Sequence, residues 1–213
     1  MKDLKAIIFD YDGVISESLD LKTRAFEAMY APYGEEIAAK VTDHHQRHGG
    51  VSRYEKFRLY HRDLLGEEID EQKVLELADR FSELVLEQVV RADFVPGVID
   101  FIKRNENRYH FYISTGTPED EILEVTGRRN IRRFFDGIYG SPAKKTDHIR
   151  KIMKEGGFSN NELIFIGDAP TDRDAARVFD ITFIGRYTTS EEIRQEKYLI
   201  RDFRNFEEFL MEI

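Results

Sequence analysis

Asp10 and Asp12 stand two residues apart at the end of a short apolar run, and Gly13 follows them. Side chains alternate along an extended chain, so both carboxylates reach one site if that geometry continues past Phe9, and the glycine then frees the backbone to turn. One carboxylate can attack phosphorus to form an aspartyl phosphate, while its neighbour protonates the leaving oxygen and later activates water. Much further along, Asp168 and Asp172 add two acids, Ser114 and Thr115 two hydroxyls, and Lys144 and Lys145 two ammonium groups. Four aspartates around a phosphate would repel it, so the set calls for a hard cation, for which Mg²⁺ is the natural supplier, and for fixed donors. A lysine neutralises a further negative charge, and a Thr115 or Ser114 hydroxyl with nearby backbone N–H groups holds the equatorial oxygens.

Stretches with distinct periodicity must carry these groups. Leu4 to Phe9 is too short for a helix and ends abruptly at Asp10, which fits a buried strand. From about Leu19 to Val90 the rhythm is helical, clearest where Val74, Leu77, Ala78, Phe81, Leu84, Val85 and Val89 recur at three- and four-residue steps. Breaks at Pro32-Tyr33-Gly34, His48-Gly49-Gly50 and Gly66 divide that stretch into four helices. After Pro96-Gly97, helices and strands alternate: strands at Tyr109 to Ser114, Gly137 to Gly140, Leu163 to Ile166 and Ile181 to Ile184, with helices between and a weaker pattern from Ser190 onward. Alternation of this kind predicts an α/β fold, a Rossmann-like parallel sheet with helices on both faces, into which an all-helical segment is inserted. The expected division is 1–16 with 94–213 for the core and 17–93 for the insertion, hinged near Gly13 to Asp20 and Ala92 to Pro96. In such sheets ligands bind beyond the carboxyl ends of the strands, where Asp10, Asp12, Ser114, Thr115, Asp168 and Asp172 fall, with Lys144 and Lys145 opening a neighbouring helix.

Composition narrows the function. With 213 residues, 41% hydrophobic and 34% charged, the chain is a globular protein able to bury a core. Its net charge of −9 disfavours nucleic acid and anionic membrane as partners, leaving a small ligand or a protein. Having no cysteine removes disulfides, thiolate nucleophiles and Cys-ligated metal. The first residues lack the long apolar region of a secretory signal and no run reaches the roughly 20 apolar residues of a membrane span, so a cytoplasmic location is expected by default. The group His44, His45 and His48 invites a zinc reading, but no ligand spacing supports it. Lys145-Thr146 is not a phosphate-binding P-loop, because Lys144 replaces the required glycine. Thr117 is well placed to cap the helix after Pro118, and Phe26, Tyr54, Phe57 and Tyr60 read as packing within the insertion.

Phe9-Asp10-Tyr11-Asp12-Gly13-Val14, Ile113-Ser114-Thr115-Gly116, a lysine near residue 145 and Gly167-Asp168-Ala169-Pro170-Thr171-Asp172 resemble, in order, the four motifs of the haloacid dehalogenase superfamily. The likeness spans nearly the whole chain, and the helical insertion resembles the C1 cap of phosphoglycolate phosphatase-like and β-phosphoglucomutase-like members. By position it implies Asp10 as nucleophile, Asp12 as general acid and base, and Thr115 as phosphate-binding hydroxyl. It further implies Lys145 or Lys144 as the phosphate lysine, with the Gly140-Ser141-Pro142 spacing favouring Lys145. Mg²⁺ would be held by Asp10, the backbone carbonyl of Asp12, Asp168 and, directly or through water, Asp172. Ser114 and Gly116 count as further substrate contacts. His48-Gly49-Gly50-Val51-Ser52-Arg53 resembles a cap segment whose arginine reaches the distal acidic group of the substrate, which gives Arg53 a substrate role. Because Asp12 is present, the resemblance implies phosphoryl transfer rather than carbon–halogen cleavage. The function expected is a Mg²⁺-dependent phosphatase acting on a small phosphorylated metabolite. The alternatives are a phosphomutase, and a non-enzymatic module controlled by phosphorylation.

Overall fold

The computed structural model describes residues 3–187 and 190–213. Met1 and Lys2, at the edge of the expected core, lie outside the described residues. Strands β1 (Ala6–Phe9), β2 (His110–Pro118), β3 (Gly137–Ser141), β4 (Leu163–Gly167), β5 (Thr182–Arg186) and β6 (Leu199–Ile200) form one sheet. Its order is β3-β2-β1-β4-β5-β6, and each neighbouring pair is parallel. The chain leaves the central strand β1 toward β2 on one side and toward β4 on the other, so the crevice at the sheet's switch point opens beside the carboxyl end of β1.

Helices α1 (Leu19–Tyr30), α2 (Glu35–Arg47), α3 (Arg53–Tyr60) and α4 (Glu71–Arg91) occupy the insertion. The core carries α5 (Val98–Asn105), α6 (Glu119–Arg128), α7 (Lys145–Gly156), α8 (Pro170–Val178) and α9 (Phe206–Glu212). Alternation along β1 sorts the helices to the two faces of the sheet: Ile7 and Phe9 pack with Phe101 of α5, Ile122 of α6 and Phe206 of α9, whereas Ala6 and Ile8 pack with Ile149 of α7 and Ala176 of α8. In α4 the buried residues Val74, Ala78, Phe81, Val85 and Val89 recur at the expected steps, and Phe81 meets Phe26 of α1 at 4.4 Å between ring centroids. An aromatic pair like this contributes about 0.5–1.5 kcal/mol beyond simple burial.

Two tethers join insertion and core, and they pair with each other. Ser16 and Phe94 form an antiparallel bridge, the Glu17 amide donates to the Asp93 carbonyl at 2.9 Å and the Val95 amide to the Ile15 carbonyl at 3.0 Å. Arg129, at the end of α6, grips both: Nη1 donates to the Tyr11 and Ser16 hydroxyls, each at 2.9 Å, Nη2 to the Ala92 carbonyl at 2.6 Å, and the guanidinium lies 3.6 Å from the Phe94 ring centroid.

One expected element differs. β2 continues past Ser114 as far as Pro118, with a register irregularity on the way, so the segment read as a loop and a helix start is strand. Consequently Thr117 is not the cap of α6. Pro118 holds that position without a side-chain cap bond, and the Thr117 hydroxyl is drawn into the crevice instead.

Candidate active site

Asp10 and Asp12 sit just beyond β1, both buried, while Tyr11 between them is packed in the apolar core. Gly13 makes the turn at φ +76°, and a Cβ there would stand 2.5 Å from Asp168 Oδ2, so the position demands glycine on both conformational and steric grounds. Asp168 follows β4, the neighbour of β1, and Asp172 lies in the first turn of α8, where its Oδ2 accepts the Ala169 amide at 3.1 Å. Lys145 opens α7 and reaches in, with Nζ 3.2 Å from Asp10 Oδ2 and ion-paired to Asp172. Lys144, one residue earlier, is exposed. The alternation at a helix start thus turns one lysine inward and its neighbour out to solvent.

These groups perturb one another as crowded charges must. Burial pushes the Asp10 carboxyl up to about 7, opposed by Lys145 and reinforced by Asp172 and Asp12. Asp168 is raised well above the carboxylate range by burial and by Asp10 and Asp172. Burial opposes the Lys145 ammonium, but Asp10 and Asp172 carry it above the ordinary lysine value. Asp12 behaves differently. Burial alone would raise it, yet Lys22 Nζ at 2.5 Å from Oδ2, the Ser18 hydroxyl at 2.6 Å from Oδ1 and the Thr117 hydroxyl at 3.0 Å hold it below the usual range. The two neighbouring acids therefore have unlike environments: Asp12 is kept charged by Lys22 and its hydroxyl donors, whereas Asp10 is pushed toward its protonated form by burial and its acidic neighbours, a bias that a cation bound among those acids would reverse.

Carboxylate oxygens of Asp10, Asp168 and Asp172 lie within 4.8 Å of one another, the one such group of acidic or histidine ligands among the described residues. Buried hard oxygen donors whose like charges raise each other's pKa suit a small divalent cation such as Mg²⁺. His44, His45 and His48 have other partners. His44 stacks on His48 with centroids 4.2 Å apart and bonds the Tyr60 hydroxyl, and His45 Nδ1 meets Lys56 Nζ at 2.8 Å.

The insertion closes over this floor. A cavity of about 40 Å³ is lined from below by Asp10, Asp12, Thr115, Gly116, Thr117 and Asp168, and from above by Lys22, Phe26, His45, Arg53, Lys56 and Phe81. The His48–Ser52 loop seats directly on the core. A Cβ on Gly50 would fall 1.8 Å from Thr171 Oγ1, and one on Gly116 would fall 2.9 Å from the Gly50 carbonyl. Arg53 locks the same seam: Nη1 and Nη2 each lie 2.7 Å from an oxygen of Glu121, and Ser82 bonds to both partners. Both terminal nitrogens of Arg53, expected to meet substrate, are thus engaged by a core carboxylate. Ser114 turns away from the cavity, its hydroxyl 2.9 Å from His148 Nδ1 on the far face of the sheet. Thr115 accepts the Thr117 amide at 3.2 Å and keeps its hydroxyl at the cavity wall. Lys22, Lys56, Thr117 and Glu121 are site residues that the sequence reading assigned no role in chemistry. Lys22 stands four residues before buried Phe26 and Lys56 four before buried Tyr60, so a lysine on an apolar helical stripe was the available signal.

The family model for haloacid dehalogenase-like hydrolases matches residues 7–186. The chain belongs to that family. Among curated proteins, this haloacid dehalogenase-like chain is 25% identical to phosphoglycolate phosphatase 1 of Pseudomonas aeruginosa, over 81% of its own length and 65% of that protein's. It is 29% identical to a phosphorylated carbohydrates phosphatase of Thermotoga maritima, over 66% of its own length and 63% of that protein's. It therefore spans just under two thirds of the length of these two relatives. Its fold is shared with a haloacid dehalogenase-like hydrolase from Streptococcus pneumoniae (TM-score 0.74, 19% identity, 99% of this chain and 100% of that one). A β-phosphoglucomutase from Clostridium difficile has it too (TM-score 0.79, 19% identity, 98% and 96%).

Proposed function

We propose that the protein is a Mg²⁺-dependent phosphatase that hydrolyses a small phosphorylated metabolite through an aspartyl phosphate on Asp10, residues 17–93 acting as a cap on a core of 1–16 and 94–213. One observation carries this reading: three separate chain segments deliver Asp10 with Asp12, Lys145, and Asp168 with Asp172 to one buried crevice at the carboxyl end of β1.

Asp10 presents a carboxylate oxygen for in-line attack on phosphorus. Asp12 lends a proton to the departing alkoxide and takes one from the water that later attacks the phosphoenzyme; Lys22 holds the same Oδ2 in the closed form and must give ground when Asp12 carries a proton. Lys145, Thr115 and the Gly116 backbone gather the equatorial oxygens, while Asp10, the Asp12 carbonyl, Asp168 and Asp172 would hold Mg²⁺. When bound, the ion supplies positive charge that offsets the acids and the developing phosphoryl charge. A 40 Å³ cavity is too small for a phosphorylated metabolite, so the cap opens to admit substrate and closes to exclude water during attack. The phosphatase names of the relatives support this class of substrate. The same proposal places the enzyme in the cytoplasm, with neither nucleic acid nor membrane as partner. Among the described residues no helix is long and apolar enough to cross a membrane.

The decisive test is Asp10→Asn assayed for phosphate release from an aryl phosphate with Mg²⁺. A loss of about 10⁴-fold or more is expected, comparable to removal of other nucleophiles. Full turnover in the variant would eliminate Asp10, and isomerised sugar phosphate without phosphate release would turn the assignment toward a mutase.

A further inference from the structure

The cavity holds one basic side chain that no carboxylate pairs with among the described residues. Lys145 is matched by Asp10 and Asp172, Lys22 by Asp12, and Arg53 by Glu121. Lys56 is 1% exposed and lines the same cavity, yet among the described residues no carboxylate lies within ion-pair distance of it. Its contacts are His45 Nδ1 at 2.8 Å and the Phe26 ring, 5.5 Å from Nζ to the centroid. A lysine buried with no carboxylate paired to it, Asp12 acting on it only from a distance, holds its proton poorly, a cost that an incoming anion relieves.

Position says which part of a substrate brings that anion. The phosphoryl group belongs over Asp10, at the core end. Lys56 projects from α3 at the cap end, beside the Phe26 and Phe81 rings and on the side where the leaving alcohol must lie. Resting on the phosphatase reading above, we propose that Lys56, and not Arg53, recognises a second negative charge on the leaving group. The enzyme then selects phosphate monoesters whose alcohol part carries a carboxylate or another phosphate. Burial with Lys22 and Arg53 drives the Lys56 ammonium well below its ordinary value, and burial pushes His45 down to about 2, which keeps its ring a neutral acceptor; an anion reaching Lys56 restores its proton.

The test measures kcat/KM with Mg²⁺ on two matched pairs, 2-phosphoglycolate against its carboxamide and propane-1,3-diol bisphosphate against its monophosphate. Wild type is expected to prefer the doubly anionic member of at least one pair by about 30-fold, and Lys56→Met to reduce that preference below about threefold. Which pair shows it identifies carboxylate or phosphate as the second anion. Lys56→Gln repeats the measurement should the methionine variant fail to fold, and Arg53→Met should lower both members of a pair in equal proportion. Hydrolysis of an aryl phosphate with no preference in either pair overturns the Lys56 assignment alone, as does a preference that survives both Lys56 variants. Absence of phosphate release from every compound, the aryl phosphate included, overturns the phosphatase reading and this one with it.

Discussion

Replacing Arg53 by Met should unlock the cap without unfolding it. Arg53 and Glu121 are nearly inaccessible and joined by two 2.7 Å bonds, and Arg53 also lies 4.5 Å over the Phe81 ring. Removing one member of such a pair leaves the other charge buried alone, a penalty of about 3–5 kcal/mol. Glu121 illustrates the dependence: burial would raise its carboxyl, and Arg53 brings it below the usual range. Because the pair bridges α3 and α6, the loss falls on cap closure. At about 1.4 kcal/mol per factor of ten, 3 kcal/mol makes the open form about 100-fold more populated. Arg53→Met with Glu121→Met removes both charges and should recover closure to within about 1 kcal/mol. The absence of native cysteine permits a direct assay. Thr117→Cys places a single thiol at the cavity wall, and its labelling rate reports the open population in each background. Equal labelling with and without Arg53, or a double variant no better than the single one, would refute the reasoning.

Gly13→Ala should lose turnover and metal affinity together, since alanine at φ +76° costs about 1–2 kcal/mol and its methyl displaces Asp168; metal titration and a thermal melt check both parts. Mg²⁺ should raise the melting temperature, and more so at pH 8 than at pH 5. Asp10, raised to about 7, and Asp168, raised likewise, must shed protons to bind the ion. In metal-free protein the sign reverses: the stability contributed by protonated Asp10 is complete below its unfolded value of 3.8 and is lost as pH rises through about 7. A larger metal effect at pH 5 would contradict this. Arg129→Met, which strips several hydrogen bonds from the tethers, should lower unfolding free energy in urea by about 1–3 kcal/mol.

The succession of strands and helices along the chain, and the placing of acids after the first and fourth strands, were legible because each depends on local pattern. Strands end beside Asp10 and Asp168, and the breaks at Pro32, Gly49 and Gly66 mark the helices of the insertion. The residues that close the site were not. Lys22 meets Thr117 across 95 positions and Arg53 meets Glu121 across 68, and nothing in the spacing of either pair announces the contact. Thr117 misled for a related reason. A threonine before Pro-Glu looks like a helix cap, but strand pairing with β3 carries the chain on to Pro118 and frees the hydroxyl for Asp12. Ser114 and Thr115 illustrate the period of two: adjacent hydroxyls of equal promise face opposite sides of the sheet, one toward His148 and one toward the crevice.

The bridged tethers turn the whole helical module into a cassette. Since Ser16 and Phe94 are neighbours in space, the chain departs and returns at virtually one point, and the sheet beneath is continuous without anything in between. An insertion of another length or shape could be grafted there with its ends already side by side, and Arg129 would still clasp them. Selectivity can thus diverge by exchanging the lid while the phosphoryl-handling floor stays untouched.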